Sequence, residues 1–180
     1  TNNIVFPFIL LAGILNIPIL FIKNSGDYGG LFNWMSIFIF AFFSSFLLYF
    51  YAQKNIYNDW IKNIFLFPIF LSCSMGLSVN NTKAVFEGIF NSKSEFVRTP
   101  KYLSSDLKKR IIPKEYLSKN ELAVVMVELL LSLYSLIGVM LSIYYLDIGA
   151  FFFNSLFFIG FGTVSVLSLQ QSLFNKKYNS

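Results

Sequence analysis

The sequence predicts an all-α membrane protein with about four transmembrane helices, and three observations support this fold class. The 180 residues are 56% hydrophobic and 13% charged, and their mean hydropathy is +0.62, which is too apolar for a soluble globular domain. Four apolar segments are each long enough to cross about 30 Å of hydrocarbon as a helix. Tryptophan and tyrosine, which concentrate at membrane interfaces, mark both ends of the second segment.

The predicted spans cover residues 4–22, 34–52, 122–146 and 150–169. Glycines at 26, 29 and 30 predict a turn-rich connection over residues 23–33. Asp147-Ile148-Gly149 predicts a tight turn between the last two spans. Gly160 and Gly162 should let the last span approach another helix closely.

The apolar segment 61–79 is harder to place. A hydropathy count would make it a fifth span, but we expect a re-entrant or interfacial element over 61–91. A crossing here would put the basic residues between 93 and 119 outside the cell, against the positive-inside bias. Pro68 and Gly76 also suit a bent element better than a straight span.

An amphipathic surface helix is predicted directly after this segment. Asn80, Lys83, Glu87 and Asn91 fall on one face of a helical wheel, with Val85, Phe86, Ile89 and Phe90 opposite. Such a helix would hold the following residues close to the lipid headgroups.

The one sharply patterned polar run is Ser94-Glu95-Phe96-Val97-Arg98-Thr99-Pro100-Lys101. It combines an aromatic ring, a hydroxyl, two cations and a stiffening proline, so it could fold over an anionic ligand such as pyrophosphate. The same residue types also occur in juxtamembrane loops that touch lipid phosphates. The residues alone leave both interpretations open.

Phe96, Thr99 and Lys101 resemble the F-x-x-T-x-K core of the gating loop in processive, cellulose-synthase-like family 2 glycosyltransferases. The preceding run G-L-S-V-N-N-T-K-A-V-F-E-G, at residues 76–88, resembles the bacterial branch of that family. The similarity is densest from about Trp60 to Tyr102. Arg98 departs from the pattern, since cellulose synthases usually have valine there, so the resemblance does not specify the sugar.

The resemblance implies a membrane region of an enzyme that transfers sugar from a nucleoside diphosphate sugar to a growing glycan or lipid acceptor. Thr99 and Lys101 would contact the donor diphosphate, Arg98 would add charge, and Phe96 would pack the loop over the donor. The implied location is the bacterial inner membrane, with the loop 94–101, the link 102–120 and the C-terminus cytoplasmic.

The catalytic motifs of that family, D-x-D, T-E-D and Q-x-x-R-W, do not occur in this sequence. We expect them in an upstream catalytic domain, which would also hold Mg²⁺ or Mn²⁺. No catalytic or metal-binding residue is therefore assigned here, and the chain alone should be inactive. The alternative is a non-enzymatic membrane subunit or transporter component whose basic loop binds lipid headgroups.

Glu128 is the candidate site residue outside the loop. An ionisable side chain inside an apolar helix is costly and marks a functional site by default. It would contact either the glycan or a polar group on a partner helix, or it would lie near the cytoplasmic interface. The net charge of +5 does not indicate nucleic acid, because the basic residues cluster beside apolar segments, where lipid headgroups account for them.

Overall fold

A computed structural model describes residues 2–90 and 121–178, and the regular structure in these two ranges is helical. Eight α-helices occur there: α1 Val5–Asn24, α2 Gly29–Met35, α3 Ile39–Ile56, α4 Trp60–Ile64, α5 Leu66–Gly76, α6 Ser78–Ile89, α7 Glu121–Tyr144 and α8 Ile148–Tyr178. A short 3-10 turn, Ser36–Phe38, joins α2 to α3.

Within these two ranges, four stretches are long and apolar enough to cross a membrane: Val5–Asn24, Gly29–Ile56, Ala123–Tyr144 and Ile148–Gln170. The prediction of an all-helical fold with about four helices able to span a membrane is thus confirmed. The predicted connection over 23–33 is wrong in its second half, because α2 already begins at Gly29. Glycine costs a helix only about 1 kcal/mol per residue, and a long apolar run follows immediately.

The segment predicted to bend does so at Leu77. Trp60–Gly76 and Ser78–Ile89 are each helical and meet at 43°. By length and composition, the pair fits either one broken span or a re-entrant loop. Ser72 of α5 contacts Leu156 of α8, and Gly76, one turn later, contacts Gly160. The contacts follow the same order along both helices, so α5 runs parallel to α8.

The contact between α5 and α8 is made by backbone. The Ser72 hydroxyl donates to the Leu156 carbonyl at 2.9 Å. A Cβ placed on Gly76 or on Gly160 would collide with the backbone of the other helix. A Cβ on Gly162 would meet the Ser132 hydroxyl of α7 at 3.1 Å. Both glycines of the last span therefore allow close helix packing, as the sequence indicated.

Helices α7 and α8 form an antiparallel hairpin with a turn at residues 145–147, two residues before the predicted position. Leu146 adopts a left-handed φ of 55°. The N–H of Leu146 bonds the Ile143 carbonyl, and the N–H of Asp147 bonds the Ser142 carbonyl, which is the Schellman arrangement that ends a helix. Asp147 then caps α8, since its Oδ1 accepts from the Ala150 N–H at 3.1 Å.

Asp147 also ties α1 to this turn. The Lys23 Nζ lies 2.5 Å from Asp147 Oδ2, which places the end of α1 beside the end of α7. Burial alone would raise the pKa of Asp147, but the hydrogen bond and charge of Lys23, with the N–H groups of Ala150 and Gly149, hold it below its ordinary value. Helix α1 also bonds α7 directly, because the Tyr134 hydroxyl donates to the Ile14 carbonyl at 2.6 Å.

A small apolar core lies where five helices meet. Val79, Phe157 and Phe161 are buried, and five partly buried residues pack on them: Ile9, Leu10, Met75, Val124 and Leu131. These residues come from α1, α5, α6, α7 and α8, which we call the packed set. Because α6 supplies Val79, the helix after the bend is part of the core and not only a surface element.

Helices α2 and α3, which we call the outer helices, are held differently. Phe42, Phe46 and Tyr49 of α3 surround the ring of Phe67 with centroid distances of 6.2, 5.5 and 5.0 Å. The Tyr49 hydroxyl also donates to the Asn63 carbonyl at 2.9 Å. No residue of α2, and none of α3 from residue 40 onward, is buried.

Candidate intramembrane polar site

Glu128 lies on α7, seven residues after Glu121, where the described part of that helix begins. Its side chain is fully buried, with 0% exposure. The residues around it in sequence are almost all apolar. A carboxylate in such surroundings is costly unless a hydrogen-bond donor reaches it.

Asn80 of α6 supplies that donor. Its Nδ2 donates to Glu128 Oε1 at 2.8 Å. Of the interpretations left open by the sequence, the structure shows the contact between Glu128 and a polar group on a neighbouring helix. A carboxyl oxygen can accept this hydrogen bond whether the group is ionised or protonated.

The second oxygen of the carboxylate is unsatisfied. Glu128 Oε2 is buried and has no hydrogen-bond partner among the described residues. The hydroxyls of Ser78 and Thr82 on α6 are likewise buried and unpaired within that part of the chain. They lie on the opposite side of α6 from Asn80 on a helical wheel, so they do not belong to the same site.

Sequence reasoning missed Asn80 as a site residue. The wheel grouped it with Lys83 and Glu87, and those two do form an exposed pair at 3.8 Å. Asn80 instead bonds α7, because it stands two residues after the start of α6, where that helix passes α7. The only signal in the sequence was an amide directly after an apolar segment.

The remaining predicted site residues, Phe96, Arg98, Thr99 and Lys101, lie outside the described residues, as does the link 102–120. The structure does describe the elements on either side. Helix α6 ends at Ile89, and α7 is described from Glu121. Residues 80 and 128 therefore join the helix before the predicted loop to the helix after it.

The chemistry of the described site is that of a hydrogen-bond acceptor. Within residues 2–90 and 121–178, no three His, Cys, Asp or Glu side chains come together as metal ligands. Comparisons of the chain with protein-family models, with curated proteins and with solved structures found no match.

Proposed function

We propose that this chain is the membrane region of a cellulose-synthase-like family 2 glycosyltransferase. The whole enzyme would transfer sugar from a nucleoside diphosphate sugar to a growing glycan or lipid acceptor. It would lie in the bacterial inner membrane with the loop 94–101 and the C-terminus on the cytoplasmic side.

The observation that carries this proposal is the spacing of Phe96, Thr99 and Lys101 directly after the run at residues 76–88. A loop that only attracts lipid headgroups requires positive charge but no ring or hydroxyl at fixed offsets. A loop that closes over a nucleotide sugar requires all three. Thr99 and Lys101 would bond the diphosphate, Arg98 would add charge, and Phe96 would seal the closed loop.

The fold of the preceding run supports this reading. Residues 76–88 form the end of α5 and nearly all of α6, and α6 packs on α1 and α7 through Val79 and Asn80. A helix held on two neighbours gives the residues that follow it a fixed starting point. The divalent ion belongs to the upstream domain in this proposal, so no step here depends on it.

The test uses the full-length enzyme in membranes, with Thr99→Ala, Lys101→Ala and Lys108→Ala. A charge-assisted hydrogen bond to phosphate is worth about 1.5 to 3 kcal/mol, so losing one in the transition state should slow transfer on the order of 10- to 150-fold. We expect that loss for Lys101→Ala, a smaller loss for Thr99→Ala and almost none for Lys108→Ala.

The control separates position from charge. Lys101→Ala and Lys108→Ala remove the same charge seven residues apart, so a headgroup-binding scaffold would respond to both alike. Equal effects would reject the donor-binding role and favour a non-enzymatic membrane subunit. An upstream reading frame without D-x-D, T-E-D and Q-x-x-R-W would reject it as well.

The proposed orientation is tested by cysteine labelling in a Cys73→Ser background. A membrane-impermeant thiol reagent added to intact cells should label Asp27→Cys, in the turn after α1, and should label Ser94→Cys only after permeabilisation. Labelling of Ser94→Cys from outside would show that the loop and the nucleotide sugars lie on opposite sides of the membrane, which contradicts the proposal.

A further inference from the structure

The outer helices begin at one end of the packed set, which we call the Asp147 end. Lys23, near the end of α1, bonds Asp147 in the turn between α7 and α8. Residues 25–28 alone separate α1 from α2. Even fully extended, this connection is too short to reach across about 30 Å of hydrocarbon. Helix α2 therefore begins on the side of the membrane where the Asp147 end lies.

The outer helices also finish at the Asp147 end. Ser72 of α5 bonds the carbonyl of Leu156, which follows Asp147 by nine residues, and Trp60 precedes Ser72 by twelve residues. Since α5 runs parallel to α8, a rise of about 1.5 Å per residue places Trp60 within about 5 Å of the level of Asp147. Helix α3 ends at Ile56, and three residues join it to Trp60. Both ends of the outer helices thus lie on one side.

The middle of this stretch lies at a shallow level. The ring of Phe42 is 5.9 Å from that of Phe152, which follows Asp147 by five residues, or about 7.5 Å of helix. From there α3 runs back toward the Asp147 end, because the ring of Phe50 packs on Trp60 at 5.5 Å. A helix that crosses the hydrocarbon would have its middle about 15 Å deep and would continue away from that end.

We propose that the outer helices bind the lipids of a single leaflet. They enter the bilayer and return on the same side, and the bent pair of Trp60–Gly76 and Ser78–Ile89 makes the crossing instead. The exposed apolar side chains of the outer helices, among them Trp34, Phe40 and Leu48, face the acyl chains of that leaflet.

The bent pair has the position that such a crossing requires. It starts near the Asp147 end, and α6 contacts the 3-10 turn Asn2–Ile4 ahead of α1. That turn lies at the opposite end of the packed set, because the 20 residues of α1 rise by about 30 Å. The crossing brings the basic residues that follow α6 in the sequence to the side where α1 begins. The positive-inside bias therefore no longer opposes it.

Cysteine labelling of the full-length protein in a Cys73→Ser background tests the proposal at three exposed positions. They are Asp27→Cys after α1, Asn58→Cys before α4 and Glu87→Cys on α6. A membrane-impermeant thiol reagent should label Asp27→Cys and Asn58→Cys to the same extent in intact cells, and Glu87→Cys only after permeabilisation.

The grouping of the three positions decides the outcome. If Asn58→Cys behaves like Glu87→Cys and unlike Asp27→Cys, the outer helices cross the membrane and the bent pair is re-entrant. If Asp27→Cys and Glu87→Cys behave alike and Asn58→Cys differs, both elements cross. If all three behave alike, neither crosses. Each of these results overturns the proposal.

Quenching of a single tryptophan by brominated phosphatidylcholine measures the depth independently. In a background of Trp34→Phe and Trp60→Phe, the exposed position Phe43→Trp should be quenched more by bromine near the headgroup than by bromine near the end of the acyl chain. Ile159→Trp is the matched control, because Ile159 is half exposed and lies about 18 Å along α8 from Asp147, near the bilayer middle. Its order of quenching should be reversed. The same order for both variants would contradict the shallow position of α3.

Discussion

The outer helices and helix α8 of the packed set have almost the same mean hydropathy but differ in burial. The span Gly29–Ile56 has a mean hydropathy of 1.9, and none of its side chains that the structure describes is buried, whereas Ile148–Gln170 has a mean hydropathy of 1.8 and one-third of its most apolar stretch is buried. Both are apolar enough for a membrane. Hydropathy therefore identifies which segments enter the bilayer but not which of them pack against protein.

Small and polar residues account for the difference. Lipid tails are as apolar as leucine, so helices in a membrane associate through close packing and hydrogen bonds. Helix α8 buries Asn154 and Ser165 and places Gly160 on the backbone of α5. Helix α3 offers many phenylalanines instead, and large rings are equally well accommodated by lipid.

The strongest test of this comparison is Gly160→Val. A Cβ at this position meets the backbone carbonyl of Ser72, and backbone cannot move aside as a flexible side chain can. Overpacking of this kind costs about 1 to 3 kcal/mol or more. We expect a clear drop in the unfolding temperature of the detergent-solubilised protein. An unchanged unfolding temperature would show that the close contact between α5 and α8 does not stabilise the packed set.

Asp147→Ala tests how α1 is attached to the packed set. It removes the cap of α8 and the ion pair with Lys23, with an expected cost of about 1 to 2 kcal/mol. Asp147→Asn is the control, because asparagine also caps helices well and only the ion pair is lost. Its cost should stay below about 1 kcal/mol. If the two variants are equally destabilised in chemical unfolding, the cap contributes nothing.

Gly30→Ala in the outer helices should stabilise the protein, whereas the preceding substitutions destabilise it. A Cβ at this position has no atom within 4 Å, and alanine is the better helix former. The variant should be stabilised by about 0.4 to 1 kcal/mol. Destabilisation similar to that of Gly160→Val would mean that α2 packs against protein, which would abolish the distinction between the two regions.

The smallest expected effect is a pH dependence from Asp147. Its folded pKa lies below the ordinary value of 3.8, so its contribution to stability is complete above that value and is lost as the pH falls through the folded pKa. The unfolding temperature of the unmodified protein should fall more steeply below about pH 4 than that of Asp147→Asn. Parallel curves for the two proteins would contradict this.

The sequence predicted the elements whose signal is local. All four candidate spans follow from apolar length, and the bend near Gly76 follows from residues that weaken a straight helix. The start of α2 at Gly29 was missed, because glycine suggested a turn although its cost to a helix is small. The turn after α7 was displaced by two residues, because a leucine, Leu146, occupies the left-handed position that glycine usually takes.

The candidate site was predicted only in part, for a physical reason. Glu128 stands out by its charge in an apolar segment, but its partner depends on which helices meet. Asn80 shares a helical face with Lys83 and Glu87, so the pattern of α6 alone describes a solvated surface. The contact with α7 joins residues that are 48 positions apart in the sequence. The periodicity of side chains along one helix does not indicate which distant residue it will contact.

The three-residue turn between α7 and α8 has a consequence for membrane topology. So short a connection cannot reach across a bilayer, so the end of α7 and the start of α8 lie at the same membrane surface, with Asp147 between them. The ion pair with Lys23 places the end of α1 at that surface as well. Three helix ends, one of them far from the others in the sequence, therefore share one side of the membrane.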